Sequence, residues 1–242
     1  MSTATAEGTL LGGRVRFTQR ESGYRSAIDP ILLAAACPEG ARTALDLGCG
    51  AGAASLALMA RLPEIRVTGV EIDEGLAELA AANAAANGWQ ARFTAHAGDA
   101  AAYAGRDHDL VLCNPPYLDA ARADPSPDPA RARADVEGEL PLAGWIDAAL
   151  TALAPRGTLV FVQRADRLAD LLAGLDARAG AIVVFPLWPR AGEPARRILV
   201  RARKGVRTPL AIAAGLVLHE TGGGYTRAAE AILRDGAPLG LI

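Results

Sequence analysis

The chain has 242 residues, 51% of them hydrophobic, and a formal net charge of −2. This length and composition suit one globular domain with a large core. No window resembles a membrane span of about 18 apolar residues, and the N-terminus shows no secretory signal. Cys37, Cys49 and Cys113 form no CxxC pair, so we expect no disulfide framework, no metal site and a cytoplasmic location.

Strand and helix patterns alternate along the chain. The predicted strands are ARTALDL (41–47), RVTGVEI (66–72), ARFTAHA (91–97), HDLVLCN (108–114), GTLVFVQ (157–163), AIVVFPL (181–187) and ARRILVRAR (195–203). The predicted helices are AASLALMARL (53–62), GLAELAAANAAANG (75–88), about 142–153 and about 166–177. This alternation predicts an α/β fold, a parallel sheet covered by helices on both faces. The last two strands are compatible with an antiparallel pair at a sheet edge.

The stretch LDLGCGAGAAS places Gly48, Gly50 and Gly52 between the first strand and the first of these helices. Such a loop lets the backbone approach a ligand without obstruction by Cβ atoms. The same glycines also satisfy a dinucleotide fingerprint, with Glu71 about 20 residues downstream. The glycines alone therefore leave open a dinucleotide, another cofactor or a tight turn without a ligand.

An acidic residue lies at the end of each of three successive strands. Asp46 would oppose a pyrophosphate but suits a cationic cofactor such as S-adenosylmethionine. Glu71 can accept both ribose hydroxyls, and Asp99 can accept the adenine amino group. A lone acid at such a place is usually a helix N-cap, as we expect for Asp73, but the series favours a cofactor site. The other candidate cofactor contacts are Cys49, Ile72, Ala100 and Asn114.

The fourth strand ends in Asn114-Pro115-Pro116-Tyr117. Two prolines stop a strand because neither donates an N–H and both fix φ. In enzymes that this tetrapeptide resembles the target is a planar amine, and the resemblance implies that the Asn114 side-chain oxygen and the Pro115 carbonyl each accept one of its N–H groups, which favours a pyramidal nitrogen with a usable lone pair. Tyr117 can stack on a flipped base. The alternative is a rigid turn without a catalytic role.

Residues 188–207 are strongly basic, with Glu193 as the one acid. The candidate RNA contacts here are Arg190, Arg196, Arg197, Arg201, Arg203 and Lys204. Phosphate contacts would explain them. An edge strand with arginines on its solvated face, which would guard against edge pairing, explains them equally well.

We expect residues 1–242 to form a single domain, with extensions at 1–27 and 206–242. The loop 118–141 is rich in Pro, Ala, Asp and Arg, and is expected to be either a substrate lid or a solvated surface loop. Tyr24 and Arg25 precede a helix. They either cover the cofactor and substrate or pack at the helix entry, where Asp29 is expected to be the N-cap before a proline at N1.

With Asp46–Gly52, Glu71, Asp99 and Asn114–Tyr117 in this order, the chain resembles class I S-adenosylmethionine-dependent methyltransferases that act on amines. The resemblance covers about residues 25–205 and implies a seven-stranded Rossmann-like sheet whose last strand is antiparallel. Further stretches resemble the bacterial tRNA adenine-N6 methyltransferases, which modify an anticodon-loop adenosine of a valine tRNA: LLGGRVRFTQRESGYRSAIDPILLAAA, PSPDPARARA, PLWPRAGEPARRILVRARKG and GLVLHETGGGYTRAAEAILRDG. This family implies tRNA as the partner; a monomer without metal or membrane contact is the default.

Other enzymes carry the same tetrapeptide, so alternatives remain. They methylate a glutamine amide of release factors or the N2 amine of guanine in ribosomal RNA. Release-factor enzymes usually have a sizeable N-terminal domain, for which the segment before the first helix is too short. A domain that binds the cofactor without transfer, and an NAD-dependent oxidoreductase, are further alternatives. Asp46 and the Pro-Pro turn disfavour the oxidoreductase.

Overall fold

The computed structural model describes residues 4–21, 28–116 and 140–241. Its strands are β1 (Thr5–Leu10), β2 (Val15–Arg20), β3 (Thr43–Leu47), β4 (Arg66–Glu71), β5 (Phe93–Ala97), β6 (His108–Cys113), β7 (Leu153–Arg164), β8 (Ala179–Trp188), β9 (Arg197–Lys204), β10 (Ala211–Ile212) and β11 (Leu216–Val217). Its α-helices are α1 (Asp29–Ala36), α2 (Ala53–Arg61), α3 (Glu74–Ala86), α4 (Leu142–Ala152), α5 (Leu168–Leu175) and α6 (Arg227–Asp235). Every strand and helix predicted above is present, with ends shifted by a few residues.

The central sheet has the strand order β10-β8-β9-β7-β6-β3-β4-β5, and β11 also pairs with β8. Strands β5, β4, β3, β6 and β7 are mutually parallel, whereas β9 is antiparallel to both β7 and β8. The expected seven strands with an antiparallel last member are therefore confirmed. The two-residue strands β10 and β11 extend the sheet beyond them.

Strand β9 corrects one expectation. It lies inside the sheet, hydrogen-bonded to β7 on one side and to β8 on the other. The idea that its arginines protect a sheet edge is wrong, because this strand has no free edge.

Alternate side chains of the strands enter two apolar layers. On one face, Leu110 and Leu112 of β6 pack with α1, α2, α3 and α6. On the other face, Val111 and Cys113 pack with α4 and α5. Burial of both faces explains why these strands are continuously apolar, and it leaves the strand ends as the place for polar side chains.

An N-terminal hairpin was not anticipated. Strands β1 and β2 pair antiparallel from Thr5↔Arg20 to Leu10↔Val15, and Val15 and Phe17 enter the core beside the helices. The alternation of Val15 and Phe17 with polar residues is a strand pattern. Only two inward apolar side chains carry it, which is too short a signal to stand out in the sequence.

Candidate active site

The glycine loop joins β3 to α2 at the carboxyl edge of the sheet. Gly48, Gly50 and Gly52 have φ of 73°, 55° and 89°, a region that side chains rarely adopt. A Cβ on Gly48 would lie 3.0 Å from the ring of Trp145 in α4, and a Cβ on Gly52 would lie 3.3 Å from Ala80 in α3. A Cβ on Gly50 would meet nothing within 4 Å, so the loop faces open space at its middle glycine.

Backbone hydrogen bonds tie this loop to the neighbouring strand. The N–H groups of Gly48 and Cys49 both donate to the Val70 carbonyl, at 2.8 and 3.0 Å. The Cys49 thiol is buried, and burial raises its pKa well above the usual value. Cys49 therefore contributes backbone and packing rather than thiolate chemistry.

Asp46 turns inward at the end of β3 and is 2% exposed. Its Oδ2 accepts hydrogen bonds from Ser55 Oγ at 2.6 Å and from the Ser55 N–H at 3.2 Å. Since Ser55 lies in the first turn of α2, Asp46 satisfies an N–H that the helix leaves unpaired. Burial raises the pKa of Asp46 to about 6, and the nearby Glu71 charge adds to the shift.

Glu71 ends β4 and holds two segments of backbone. Its Oε2 accepts the Gly50 N–H at 2.9 Å, and its Oε1 accepts the Asp73 N–H at 3.0 Å. Burial raises the pKa of Glu71, and these backbone bonds oppose the rise. Each carboxylate oxygen keeps a further lone pair for a ligand hydroxyl. Ile72 beside it is 74% exposed, an apolar surface at the same edge.

Asp99 follows β5 and caps the short 3-10 helix Ala100–Ala102. Its Oδ1 accepts the Ala101 N–H at 2.9 Å, and its side chain is exposed. The Gly98 N–H donates to the Glu71 carbonyl at 2.8 Å. This bond places the start of the Asp99 turn directly against the end of β4.

The three acids therefore share one edge, because they lie at the carboxyl ends of the adjacent strands β3, β4 and β5. Each also bonds to backbone N–H groups, so the cap interpretation and the site interpretation are not exclusive. The carboxylates of Asp46 and Glu71 lie beside a loop that is open at Gly50, and they fit a cofactor with a positive charge and vicinal hydroxyls. The described residues thus fit S-adenosylmethionine.

The proline turn follows β6, which lies between β3 and β7: Cys113 pairs with Leu47 on one side and with Phe161 on the other. Asn114 therefore lies at the middle of the carboxyl edge, one strand away from the glycine loop. Pro115 is buried and Pro116 is half-buried. Tyr117, like Tyr24, Arg25 and nearly all of the loop 118–141, lies outside the described residues.

Gln163 is a residue that the sequence reasoning missed. It is fully buried near the end of β7, where its Nε2 lies 3.4 Å from the Pro116 carbonyl that it faces as a donor. Its Oε1 accepts the Arg164 N–H at 2.8 Å. A glutamine ending the apolar run GTLVFVQ was the available signal, because a buried amide requires partners.

The basic residues of 188–207 divide between the two edges of the sheet. Arg196 and Arg197 lie at the carboxyl edge, where Arg197 pairs in register with Arg164. Arg203 and Lys204 lie at the opposite edge and donate to the backbone carbonyls of Arg156 and Leu153. Arg201 is half-buried in the middle of the strand. Arg190 follows β8 at the carboxyl edge and pairs with Glu193 at 3.3 Å.

Asp29 corrects a smaller expectation. Ile28 occupies the N-cap position of α1, and Asp29 is the first helical residue, with Pro30 next to it. The Asp29 carboxylate instead accepts from Arg197 Nε at 3.3 Å. By contrast Asp73 is confirmed as the N-cap of α3, accepting the Leu76 N–H.

Within residues 4–21, 28–116 and 140–241, no cluster of three or more His, Cys, Asp or Glu side chains could hold a metal ion. In the same part of the chain, no helix has the length and apolar character that crossing a bilayer requires.

Comparison with known proteins identifies the relatives of this chain. Residues 28–127 match the methyltransferase small domain family. The tRNA1(Val) (adenine(37)-N6)-methyltransferase of Aeromonas hydrophila is 34% identical over 203 residues, which cover 82% of this chain and 84% of that protein.

Solved structures show the same fold. A predicted O-methyltransferase of Agrobacterium tumefaciens is 29% identical, with a TM-score of 0.72, and the match covers 87% of this chain and 98% of that one. An S-adenosylmethionine-dependent O-methyltransferase of Thermotoga maritima is 20% identical, with a TM-score of 0.53 over 77% of this chain and 68% of that one. The chain is therefore an S-adenosylmethionine-dependent methyltransferase and belongs to the family of the bacterial tRNA1(Val) (adenine(37)-N6)-methyltransferases.

Proposed function

We propose that this protein transfers the methyl group of S-adenosylmethionine to the exocyclic N6 amine of an adenosine in tRNA. The observation that carries the proposal is the place of Asn114-Pro115-Pro116, at the middle of the carboxyl edge beside the glycine loop. The relatives are named for adenine 37 of tRNA1(Val), and their names supply the nucleotide, its position and the RNA of this proposal. The whole chain, residues 1–242, would act as one methyltransferase domain.

In this proposal the acids and the glycine loop hold the cofactor. Glu71 accepts the ribose hydroxyls while it keeps its backbone bonds to Gly50 and Asp73. Asp99 accepts the adenine amino group, and the exposed Ile72 and the backbone at Ala100 line the adenine. Asp46 provides negative charge near the loop, and Cys49 and Asn114 complete the wall. Bound S-adenosylmethionine supplies an electrophilic methyl group on a sulfonium.

Asn114 and Pro115 would prepare the attacking nitrogen. An adenine amine is a weak nucleophile, because its lone pair is delocalised into the ring. Its two N–H groups would donate to the Asn114 side-chain oxygen and the Pro115 carbonyl, which favours a pyramidal nitrogen. On transfer the nitrogen lone pair would form the new bond to the methyl carbon while the carbon–sulfur bond breaks and its electron pair stays on sulfur, giving a neutral thioether; the cationic nitrogen would then lose one proton to solvent. Pro116, held by Gln163, fixes the turn, and Tyr117 would stack on the base.

Two acceptors match an amine better than a hydroxyl. The related Agrobacterium structure is described as an O-methyltransferase on prediction, but a hydroxyl has a single proton to donate. An amine has two protons, one for each of Asn114 and Pro115. This difference favours nitrogen as the acceptor atom.

Arginines at the carboxyl edge would bind RNA phosphates. Arg196 and Arg197 line an open cleft of about 460 Å³ together with Arg164 and Asp166. Arg190 lies at the same edge, and Tyr24 and Arg25 remain proposed substrate contacts. Arg201, Arg203 and Lys204 are no longer proposed as RNA contacts, because β9 places them away from the acids at the carboxyl edge.

The test is a transfer assay with radiolabelled S-adenosylmethionine on total cellular tRNA and, separately, on ribosomal RNA, whose nucleosides are analysed in the same way, and on a purified release factor. The tRNA is then digested and its nucleosides are identified by mass spectrometry. N6-methyladenosine in tRNA supports the proposal. Label on a protein glutamine, or on guanosine N2 of ribosomal RNA, would replace it with one of the two alternatives.

A further inference from the structure

Asn83 is a buried polar residue of α3 to which the chemistry above assigns no role. It is 2% exposed. Its Oδ1 accepts the Thr18 N–H at 2.8 Å, and its Nδ2 donates to the Thr18 carbonyl at 2.8 Å and to the Ala51 carbonyl at 3.0 Å. One amide thus joins three segments: helix α3, the N-terminal hairpin and the glycine loop.

Asn87 lies one helical turn later and makes the same two hydrogen bonds to the backbone of β2, but none to the glycine loop. Its Oδ1 accepts the Arg16 N–H at 2.9 Å, and its Nδ2 donates to the Arg16 carbonyl at 2.8 Å and to the Asn83 carbonyl at 2.8 Å. Both amides therefore pair with the outer edge of β2 as another strand would. Only the Asn83 side chain also reaches the glycine loop.

A hydrogen bond to the Ala51 carbonyl restrains the conformation of the glycine loop. Ala51 lies between Gly50 and Gly52, whose backbones have a left-handed φ and can rotate at little steric cost. A hydrogen bond to the Ala51 carbonyl fixes the peptide plane between these rotatable residues. The Gly50 N–H then stays directed at Glu71, 2.9 Å away.

The hairpin meets the ribose side of the site at a second point. Arg20, the last residue of β2, forms a two-pronged ion pair with Asp73, both N–O distances being 2.7 Å. The Asp73 N–H in turn donates to Glu71 Oε1 at 3.0 Å. A docked hairpin therefore supports both backbone segments that Glu71 holds.

We propose that Asn83 is a positioning residue that couples docking of the N-terminal hairpin to cofactor binding. The inference rests on the proposed cofactor site and deepens it. Asn83 touches no reacting atom; it acts through the Ala51 carbonyl. By thermodynamic linkage, a hairpin that improves the cofactor site must itself be held more tightly once the cofactor is bound.

The matched pair Asn83→Ala and Asn87→Ala tests the proposal. Each variant removes both side-chain bonds to one residue of β2, but only Asn83→Ala frees the Ala51 carbonyl. We measure the Kd of S-adenosylhomocysteine by calorimetry, the KM for S-adenosylmethionine, kcat and Tm. Asn83→Ala should weaken binding and raise this KM about tenfold, with kcat at saturation within about twofold. Asn87→Ala should lower Tm but leave Kd and KM within about twofold.

Equal losses of affinity in both variants, or no loss in Asn83→Ala, would overturn the coupling through Ala51. If Asn83→Ala does not fold, hydrogen exchange of the wild-type chain decides. Saturating S-adenosylhomocysteine should slow exchange of the Thr18 amide, and an unchanged rate would overturn the proposal. Glu71→Ala distinguishes failure of the proposed cofactor contacts from failure of the coupling through Asn83. Intact affinity in that variant would remove Glu71 from the proposed cofactor site, whereas lost affinity there with normal binding in Asn83→Ala would remove only the inference.

Discussion

The acids of strands β3–β5 and the basic residues of strand β9 differ in how their distance along the chain relates to their distance in space. Asp46, Glu71 and Asp99 are far apart in the chain, yet parallel strands bring them to one edge of the sheet. Arg197 and Lys204 are close in the chain, yet they lie at opposite ends of β9: Arg197 is at the carboxyl edge of the sheet, and Lys204 is at the other end of the strands. At about 3.3 Å per residue, their separation is roughly 23 Å.

Strand direction therefore decides whether a set of like residues can form a site. In a parallel sheet, the residue after each strand returns to the same edge, so a series of acids along the sequence is a spatial cluster. In a single strand, consecutive charges are spread along its length. Only the first residues of β9 can contribute to a site at the carboxyl edge.

The largest expected effect concerns the turn after β6, which lies between these two regions. Asn114→Ala should reduce methyl transfer to tRNA about 100- to 1,000-fold, because one acceptor of the amine protons is lost. Cofactor affinity should stay within about twofold. Single-turnover assays and calorimetry measure the two quantities. Near-normal transfer by Asn114→Ala would contradict the proposed role of this turn.

The second effect concerns Asp46, one of the acids at the ends of β3–β5, and its contribution to stability. The pKa of Asp46 is about 6 in the folded protein, against about 3.9 for an ordinary Asp. Ionisation is therefore disfavoured by folding, and the contribution of Asp46 to stability falls as pH rises from about 4 to about 6. The difference in pKa corresponds to about 3 kcal/mol.

Asp46→Asn should remove this dependence. Its free energy of unfolding, measured by urea denaturation, should rise relative to wild type between about pH 4 and pH 6 and then stay level. A difference that does not change with pH would mean that Asp46 titrates normally.

The third effect concerns Glu71. Glu71→Ala leaves the N–H groups of Gly50 and Asp73 without their acceptor and removes the proposed acceptor of the ribose hydroxyls. We expect the Kd of S-adenosylmethionine to rise about 30-fold in calorimetry. Glu74→Ala, at an exposed position in the first turn of α3, is the control and should bind normally. Unchanged affinity in Glu71→Ala would remove Glu71 from the site.

The smallest effect tests the division of the arginines. Arg196→Ala should raise the KM for tRNA about threefold and lower the salt dependence of binding by about one ion. Arg203→Ala, at the other end of β9, should change neither quantity. Equal effects of the two substitutions would show that RNA contacts both edges and would break the comparison.

Much of the fold was predictable because its signals are local. Apolar runs that alternate with helical segments gave the strands, and an acid after each of three strands indicated the edge where the cofactor site lies. Asp73 as an N-cap followed from the same local chemistry.

The remainder depends on contacts between distant segments. The order of β9 within the sheet determines which arginines reach the carboxyl edge, and a basic stretch alone does not contain that order. The bonds of Asn83 to Thr18 and Ala51 join residues far apart in the chain. Gln163 is similar, since its partner at Pro116 belongs to another strand end.

The most direct test of the central claim uses two transcripts of a valine tRNA, one with adenosine and one with guanosine at position 37. Each is incubated with the protein and S-adenosylmethionine, digested and analysed for nucleosides by mass spectrometry. The account predicts N6-methyladenosine from the adenosine transcript, with most of it lost in the guanosine transcript. No methylated adenosine in either transcript would contradict it.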